Sequence, residues 1–309
     1  MLEIDFDLLQ PSDLPALLAL WQELGCDMTL KLDQQELYER TFGDPTCQPE
    51  LLLLARTGSR LAGFCLGCIR GNRGVIKAFG VHPDHQRQGI ATHLFQEIEA
   101  RFAARGLAAA YAGAVPPNYF DPGISLARMP AIAFLMQHGY ETDRHARVDM
   151  CVELNAVNLD YAEACQRLES AGIKVRRASE DEIEAVAAFA AEHFSDVWRS
   201  EVTASRRSTP PSLFVASKGS CVVAFAAHDV VGPARFGPTG THPDYRSRGI
   251  GTVLLKMCLE NIRAAGYRIA QIAWAEPVDY YARTVGATIS SVYWCFEKTL
   301  DSGAPGDDG

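Results

Sequence analysis

The chain has 309 residues, 48% apolar and 22% charged, which points to about two ordinary globular domains. Its net charge of −9, from 29 Lys plus Arg against 38 Asp plus Glu, disfavours nucleic-acid binding and suits a cationic partner such as an amine. The longest aliphatic run, Leu51–Ala55, is far too short for the roughly 20 residues of a membrane span, and Met1–Asp5 is acidic where a secretory segment starts basic. A cytoplasmic protein with no membrane partner is expected.

In chain order, a strand over Glu3–Leu8 leads into a helix from Asp13 to about Leu24, capped by Ser12 or Asp13. A helix near Asp33–Thr41 follows, then a hairpin of Leu51–Arg56 and Leu61–Arg70 turning at Thr57-Gly58-Ser59. Next come strand Val75–Val81, a helix over Ile90–Ala104, strand Ala108–Ala114 and a helix over Arg128–His138 stopped by Gly139. Strands near Tyr140 and at Val148–Leu154 close the first half, and Asn158–Ala171 reads as a connecting helix between the halves.

The second half repeats the order. Strand Lys174–Ala178 precedes helices at Asp181–Phe194 and Val197–Ser205, then a hairpin of Leu213–Ala216 and Cys221–Asp229. Strand Ala234–Thr241, helix Ile250–Ala264, strand Arg268–Trp274, a short helix near Tyr280–Val285 and a final strand Ser290–Lys298 complete it. The polar, Gly-rich segment 301–309 reads as a disordered tail.

The nine cysteines are odd in number and mostly sit in strand-like apolar runs, where Cys acts as a small hydrophobe. Cys65-Leu66-Gly67-Cys68 lacks the second pair or helix-start setting of a metal or redox motif, so no metal is expected.

The halves share more than element order. His-Pro-Asp-His-Gln-Arg-Gln-Gly-Ile-Ala at 82–91 matches His-Pro-Asp-Tyr-Arg-Ser-Arg-Gly-Ile-Gly at 242–251, 160 residues later, with Thr92/Thr252 and Leu94/Leu254 in register. Each copy follows a strand and opens a helix. Two homologous domains are therefore expected, at 1–155 and 173–300, joined through 156–172.

The repeated element sets a glycine turn at a helix start: Gln86, Arg87, Gln88, Gly89, Ile90, Ala91 and Thr92 in one half, and Arg246, Ser247, Arg248, Gly249, Ile250, Gly251 and Thr252 in the other. Unpaired backbone N–H groups and the positive end of the helix dipole converge there, with a hydroxyl in the first turn. That arrangement suits a pyrophosphate. Neither Gly-x-Gly-x-x-Gly nor Gly-Lys-Ser/Thr is present, so a dinucleotide fingerprint and a Walker loop are excluded.

These residues resemble the pyrophosphate loop of the GNAT acyltransferase superfamily. Gly237-Pro238-Thr239-Gly240-Thr241-His242-Pro243, Trp274–Tyr281 and Val285-Gly286-Ala287 are similar to a tandem-GNAT signature, as are Pro116–Gly123 and Ala131–Tyr140 in the first half. The resemblance implies an α/β fold of two GNAT domains, each a mixed, mostly antiparallel sheet with flanking helices. It implies acetyl-CoA as co-substrate, bound where two strands splay apart. Backbone N–H groups of the strand before the loop would polarise the thioester, which carries over to Phe79 and Val81 in the first half and to Thr239 and Thr241 in the second. Pro238, lacking an N–H, fits a strand that diverges there.

A Tyr on the following short helix often protonates the departing thiolate in this family, and Tyr281 matches that place. Asp229, Glu276 and Asp279 are candidate bases, and His193 a candidate lining of the acceptor cleft. The first half carries Ala133-Phe134-Leu135-Met136 instead of a Tyr, so its chemistry is expected to be weak or silent unless Tyr119 substitutes. The leading expectation is N-acetylation of a primary amine on a small cationic acceptor, an amino sugar by family analogy, mainly by the second domain. The alternatives are acetylation of a protein or peptide amine, and a non-catalytic acyl-CoA-binding module.

Overall fold

The computed structural model describes residues 4–25, 32–116 and 118–300. The tail expected over 301–309, and Pro117 of the first-half signature, lie outside them. Elements run in the order β1 (Asp5–Leu8), α1 (Leu14–Glu23), α2 (Gln34–Arg40), β2 (Leu52–Thr57), β3 (Arg60–Arg70), β4 (Arg73–Val81), α3 (Ile90–Ala103), β5 (Ala109–Ala112), β6 (Ile124–Ser125), α4 (Met129–Gln137) and β7 (Glu141–Thr142). They continue with β8 (Arg147–Glu153), α5 (Ala162–Ser170), β9 (Ile173–Arg177), α6 (Ile183–His193), α7 (Asp196–Ala204), β10 (Leu213–Lys218), β11 (Cys221–His228) and β12 (Arg235–Thr241). Last come α8 (Ile250–Ala264), β13 (Ile269–Ile272), α9 (Val278–Val285), β14 (Thr288–Trp294) and β15 (Phe296–Thr299).

The chain forms two compact units, one of residues 1–147 and 292–309, the other of 148–291. In the first, the sheet order is β1-β2-β3-β4-β5-β15-β7, with β4–β5 parallel and the other ladders antiparallel. In the second, β9-β10-β11-β12-β13-β8 follow the same plan, with β12–β13 parallel and the other ladders antiparallel. Hairpins dictate the antiparallel pairs β2–β3–β4 and β10–β11–β12, and the α3 and α8 crossovers dictate the single parallel pair in each.

The helices bury period-3.6 faces on these sheets. Ile90, Leu94, Phe95, Ile98 and Phe102 of α3 pack with Ile76 and Leu135 on one face of the first sheet. Trp21, Leu37 and Phe64 make a separate core under α1 and α2 on the other. In the second unit Val186, Phe189, Val202 and Phe225 do the same for α6 and α7. Each buried side chain of this size contributes about 1.5–3 kcal/mol.

Two elements depart from the sequence reading. The strand expected to finish the first half, β8, pairs with β13 in the second unit: Ile272 stands opposite Met150 and Ala270 opposite Val152. The single final strand expected at Ser290–Lys298 is two strands, and the second, β15, pairs with β5, Phe296 opposite Ala112. Each half thus gives its last strand to the other unit's sheet. The helix α5, expected between the halves, packs on β9 and α8 within the second unit.

Candidate active site

The parallel pair in each unit is short. Strand β12 pairs with β13 only at Arg235 and Phe236, opposite Gln271 and Ile272, while its later residues pair with β11 alone. The β11–β12 register slips between Ala226 and His228, opposite Gly237 and Pro238, so the strand bends at the residue that has no N–H to give. In the first unit β4 leaves β5 after Ile76, with a slip between Leu66 and Gly67.

Alternation then decides what lines the gap. His242 donates its N–H to the Val223 carbonyl at 2.9 Å, so Gly240 also faces β11 and the N–H groups of Thr239 and Thr241 face away, into the gap. His82 donates to the Ala62 carbonyl at 2.8 Å, which turns Phe79 and Val81 the same way. The Thr239 hydroxyl donates to the Phe225 carbonyl at 3.1 Å.

Beyond each strand the chain makes one and the same turn. Ser247 and Gly249 sit at φ +61 and +84, and Arg87 and Gly89 at +57 and +85. A Cβ added at Gly89 or Gly249 would meet nothing within 4 Å, so these glycines answer to backbone conformation, in an open place. Arg246 donates to the Thr241 carbonyl at 3.2 Å and Arg248 to the Asp244 carbonyl at 3.0 Å. Gln86 and Gln88 repeat both bonds on Val81 and Asp84 at 3.0 and 3.1 Å. Ile250 and Ile90 are buried and anchor the helices. The first backbone bonds of α8 and α3 are Val253 to Gly249 and His93 to Gly89, so the N–H groups of Gly249–Thr252 and Gly89–Thr92 are not spent inside the helices. The turn can hold an anion.

The short helix closes one side. Tyr281 is 5% exposed and packs edge-on against Phe236, the last residue of β12 paired with β13, at 6.1 Å between ring centroids. Tyr280 lies 5.1 Å from it and brings its hydroxyl to 3.4 Å from the Thr252 Oγ1 at the start of α8. Burial pushes both phenols above their ordinary value of 10, so both are protonated at neutral pH. Five residues before its closing glycine, the first unit has Phe134 where the second has Tyr281; Phe134 packs on Phe95 at 4.9 Å and lies 6.1 Å from Phe79. His138 takes the place beside Thr92, 3.1 Å from its hydroxyl.

A profile of the acetyltransferase (GNAT) family matches residues 17–121 and again 179–286. The chain belongs to this family. Among similar proteins is an acetyltransferase of Pectobacterium atrosepticum, 30% identical over 104 residues that make up 33% of this chain and 70% of that protein. An acetyltransferase of Sodalis glossinidius is 32% identical over 95 residues, 30% of this chain and 63% of its own length. Among solved structures, a glucosamine N-acetyltransferase region of a fungal β-N-acetylglucosaminidase superposes with a TM-score of 0.75 at 19% identity, over 96% of this chain and 38% of that one. A tandem GNAT protein from the clavulanic acid pathway gives 0.67 at 16% identity, over 96% and 99%. At such identities the likeness is one of fold.

Within the GNAT frame, the structure gathers Thr239, Thr241, the 246–252 turn, Tyr280 and Tyr281 around one gap. It does not bring Asp229 there. That carboxylate begins the β11–β12 turn, at the opposite end of β12 from α8, and binds His228 Nδ1 and the Ala234 N–H, both at 2.6 Å. Glu276 is exposed, and Asp279 pairs on the surface with Arg283. His193 stands 4.8 Å from the His242 ring, just past the end of β12. In the first unit the Tyr119 carbonyl accepts a bond from Arg40.

Sequence reasoning missed two groups. Lys77, in the first unit where the second has Gly237, is buried with its ammonium 2.7 Å from Asp44 Oδ2 and 2.6 Å from the Arg40 carbonyl, and Arg70 joins the same carboxylate at 2.6 Å. Burial pushes the Lys77 ammonium below its usual value; burial alone would raise Asp44, but Lys77 and Arg70 outweigh it and hold the carboxyl down. A lysine inside the apolar run Val75–Phe79 was the available signal. The other group is Asp149 of β8, which is fully buried.

Among the described residues no helix is long and apolar enough to cross a membrane, and no cluster of three His, Cys, Asp or Glu could hold a metal. Cys65 and Cys68 are buried, and burial raises both thiols.

Proposed function

We propose that the protein is an acetyl-CoA-dependent N-acetyltransferase that acetylates the primary amine of a small cationic acceptor, with the chemistry in the second unit. The observation that carries this reading is the pair of N–H groups at Thr239 and Thr241, turned into a strand gap that ends at the anion-ready turn of α8. The pyrophosphate sits on the N–H groups of Gly249–Thr252, beside Arg246, Ser247 and Arg248. The pantetheine arm runs along β12. An N–H of Thr239 or Thr241 stabilises the oxyanion that forms when the amine attacks the thioester carbonyl. The amine attacks after giving one proton to solvent. The carbon–sulfur bond then breaks, and the Tyr281 phenol gives its proton to the departing thiolate. The proton that the nitrogen sheds in becoming an amide returns to the phenol through water. No covalent enzyme intermediate is needed.

The first unit keeps the turn at Gln86–Thr92 and the gap beside Phe79 and Val81, so it holds acetyl-CoA too. With Phe134 in place of a phenol it is catalytically weak. An amino sugar is the acceptor class we favour: the fungal structure is described as a glucosamine N-acetyltransferase, and a net charge of −9 attracts a protonated amine to the surface.

An amine-library screen reading free thiol release from acetyl-CoA tests this directly. We expect turnover with at least one amino sugar, and loss of that turnover in Gly249→Glu, whose carboxylate would occupy the anion site. Calorimetry with acetyl-CoA should show two sites in the parent and one in the variant. Full activity in Gly249→Glu would place the chemistry in the first unit.

A further inference from the structure

The gap between β12 and β13 has two walls: β12 slips its register at Gly237 and Pro238, and on the far side the segment after β13 is held by groups on β8. After Ile272 the chain passes through Ala273–Ala275 towards α9. The Trp274 N–H donates to Asp149 Oδ1 at 2.8 Å, the Ala275 N–H to the Val148 carbonyl at 2.7 Å, and Gln271 Nε2 to Asp149 Oδ2 at 2.9 Å. Trp274 sits at φ +49, a left-handed conformation that a bulky residue keeps only where its surroundings impose it. A carboxyl group with 0% exposure, accepting that backbone N–H, is such an imposition, because parting the two would leave buried polar groups without partners.

The first unit lacks this device. Phe296 faces Ala112 as Met150 faces Ile272, so the residue in the place of Asp149 is Cys295. Its thiol lies 3.5 Å from the Pro122 carbonyl, and Tyr111 stands where the second unit has Gln271. A thiol is a weak acceptor and cannot take the two bonds that Asp149 takes.

We infer that Asp149 is a positioning residue of the second unit: it fixes Trp274, and through Trp274 the far wall of the gap and the entry to α9, which carries Tyr280 and Tyr281. The inference rests on reading the gap as the thioester channel. Asp149 belongs to the first half of the sequence and reaches this wall through the exchanged strand. The acyl-binding end of the second unit is therefore set by a residue outside the second repeat.

The test uses the full-length chain carrying Gly89→Glu, so that only the second unit's turn reports, with two probes in calorimetry. Acetyl-CoA needs both turn and gap; ADP carries the pyrophosphate but no pantetheine arm and needs the turn alone. In Asp149→Ala acetyl-CoA should bind about tenfold more weakly with ADP affinity near the parent's, while the melting temperature falls because the Trp274 and Gln271 donors lose their acceptor. Asp149→Asn, which keeps an acceptor for the Trp274 N–H, should restore acetyl-CoA binding. Parallel weakening of both probes, or no change in either, overturns the inference. If Asp149→Ala does not fold, Asp149→Cys, the first unit's own solution, is judged by the same criteria. A parent that binds ADP but no acetyl-CoA overturns the reading of the gap itself, and this inference with it.

Discussion

Tyr280 and Tyr281 are adjacent in sequence and differ in what their side chains meet. Tyr280 stands over the α8 start beside Thr252, where a bound phosphate would sit, whereas Tyr281 lies against Phe236 at the point where the strands part. The two should therefore fail differently. Tyr281→Phe removes the proton donor and is expected to lower kcat about 10²-fold or more with little change in KM for acetyl-CoA. Tyr280→Phe should raise KM for acetyl-CoA and leave kcat near the parent's. Steady-state kinetics on the acceptor found in the amine screen separates them. Because burial raises the Tyr281 phenol above its ordinary value of 10, the donor stays protonated as pH rises to that value. Any fall in kcat between pH 8 and about 10 then belongs to another group. Tyr281 was reached through the family resemblance, and the short helix does turn that residue onto Phe236 of the sheet. Asp149 and Lys77 could not be reached, because each acquires its partners only when strands from distant parts of the sequence are paired.

At the scale of elements, β12 works only if a helix corner can approach it closely. A Cβ on Gly240 would come within 2.5 Å of the Phe194 ring at the end of α6, and Gly80, its partner in the repeat, is pressed by Leu24 at the same distance. Gly240 stands between Thr239 and Thr241, so pushing it away from Phe194 moves both N–H groups that line the gap. Gly240→Ala is expected to cost about 1–3 kcal/mol of stability, the usual penalty of overpacking, and to raise KM for acetyl-CoA. Thermal melting and kinetics on one preparation check it; an unchanged KM beside a lowered melting point would mean the strand does not transmit the strain. The strand and helix positions were largely legible, because period-2 and period-3.6 patterns survive in one dimension: α8 over Ile250–Ala264 and β12 ending at Thr241 stand where the pattern put them. The glycine turn at their junction was legible for the same reason, being built from consecutive residues. Asp229 was offered as a candidate base although the expected strands Cys221–Asp229 and Ala234–Thr241 already set it at their turn, the other end of β12 from Thr241.

The exchange of last strands governs the whole molecule. Both halves end in a strand of similar pattern, and both sheets offer the same place for it, beside β5 in one and β13 in the other. A sequence states that such a strand exists; it does not state which of two equivalent places it takes. That is why boundaries drawn after residues 155 and 300 differ from units of 1–147 with 292–309 and of 148–291. The physical consequence is that neither half carries its own complete sheet. Residues 1–155 alone would leave β5 unpaired on its outer side and would lose Phe296, which is 0% exposed and packs with Phe95, Leu135 and Tyr140. Loss of a buried Phe costs about 3–5 kcal/mol by itself, a large part of the stability of an ordinary domain. A chain ending at residue 155 is therefore expected to show no cooperative unfolding transition, whereas 1–147 joined through a Gly/Ser linker to 292–300 should show one. Circular dichroism melts of the two chains decide the matter. A cooperative transition in 1–155 would mean that β8 can fold back beside β5, and that the exchange is a choice between near-equal pairings rather than a requirement of the fold.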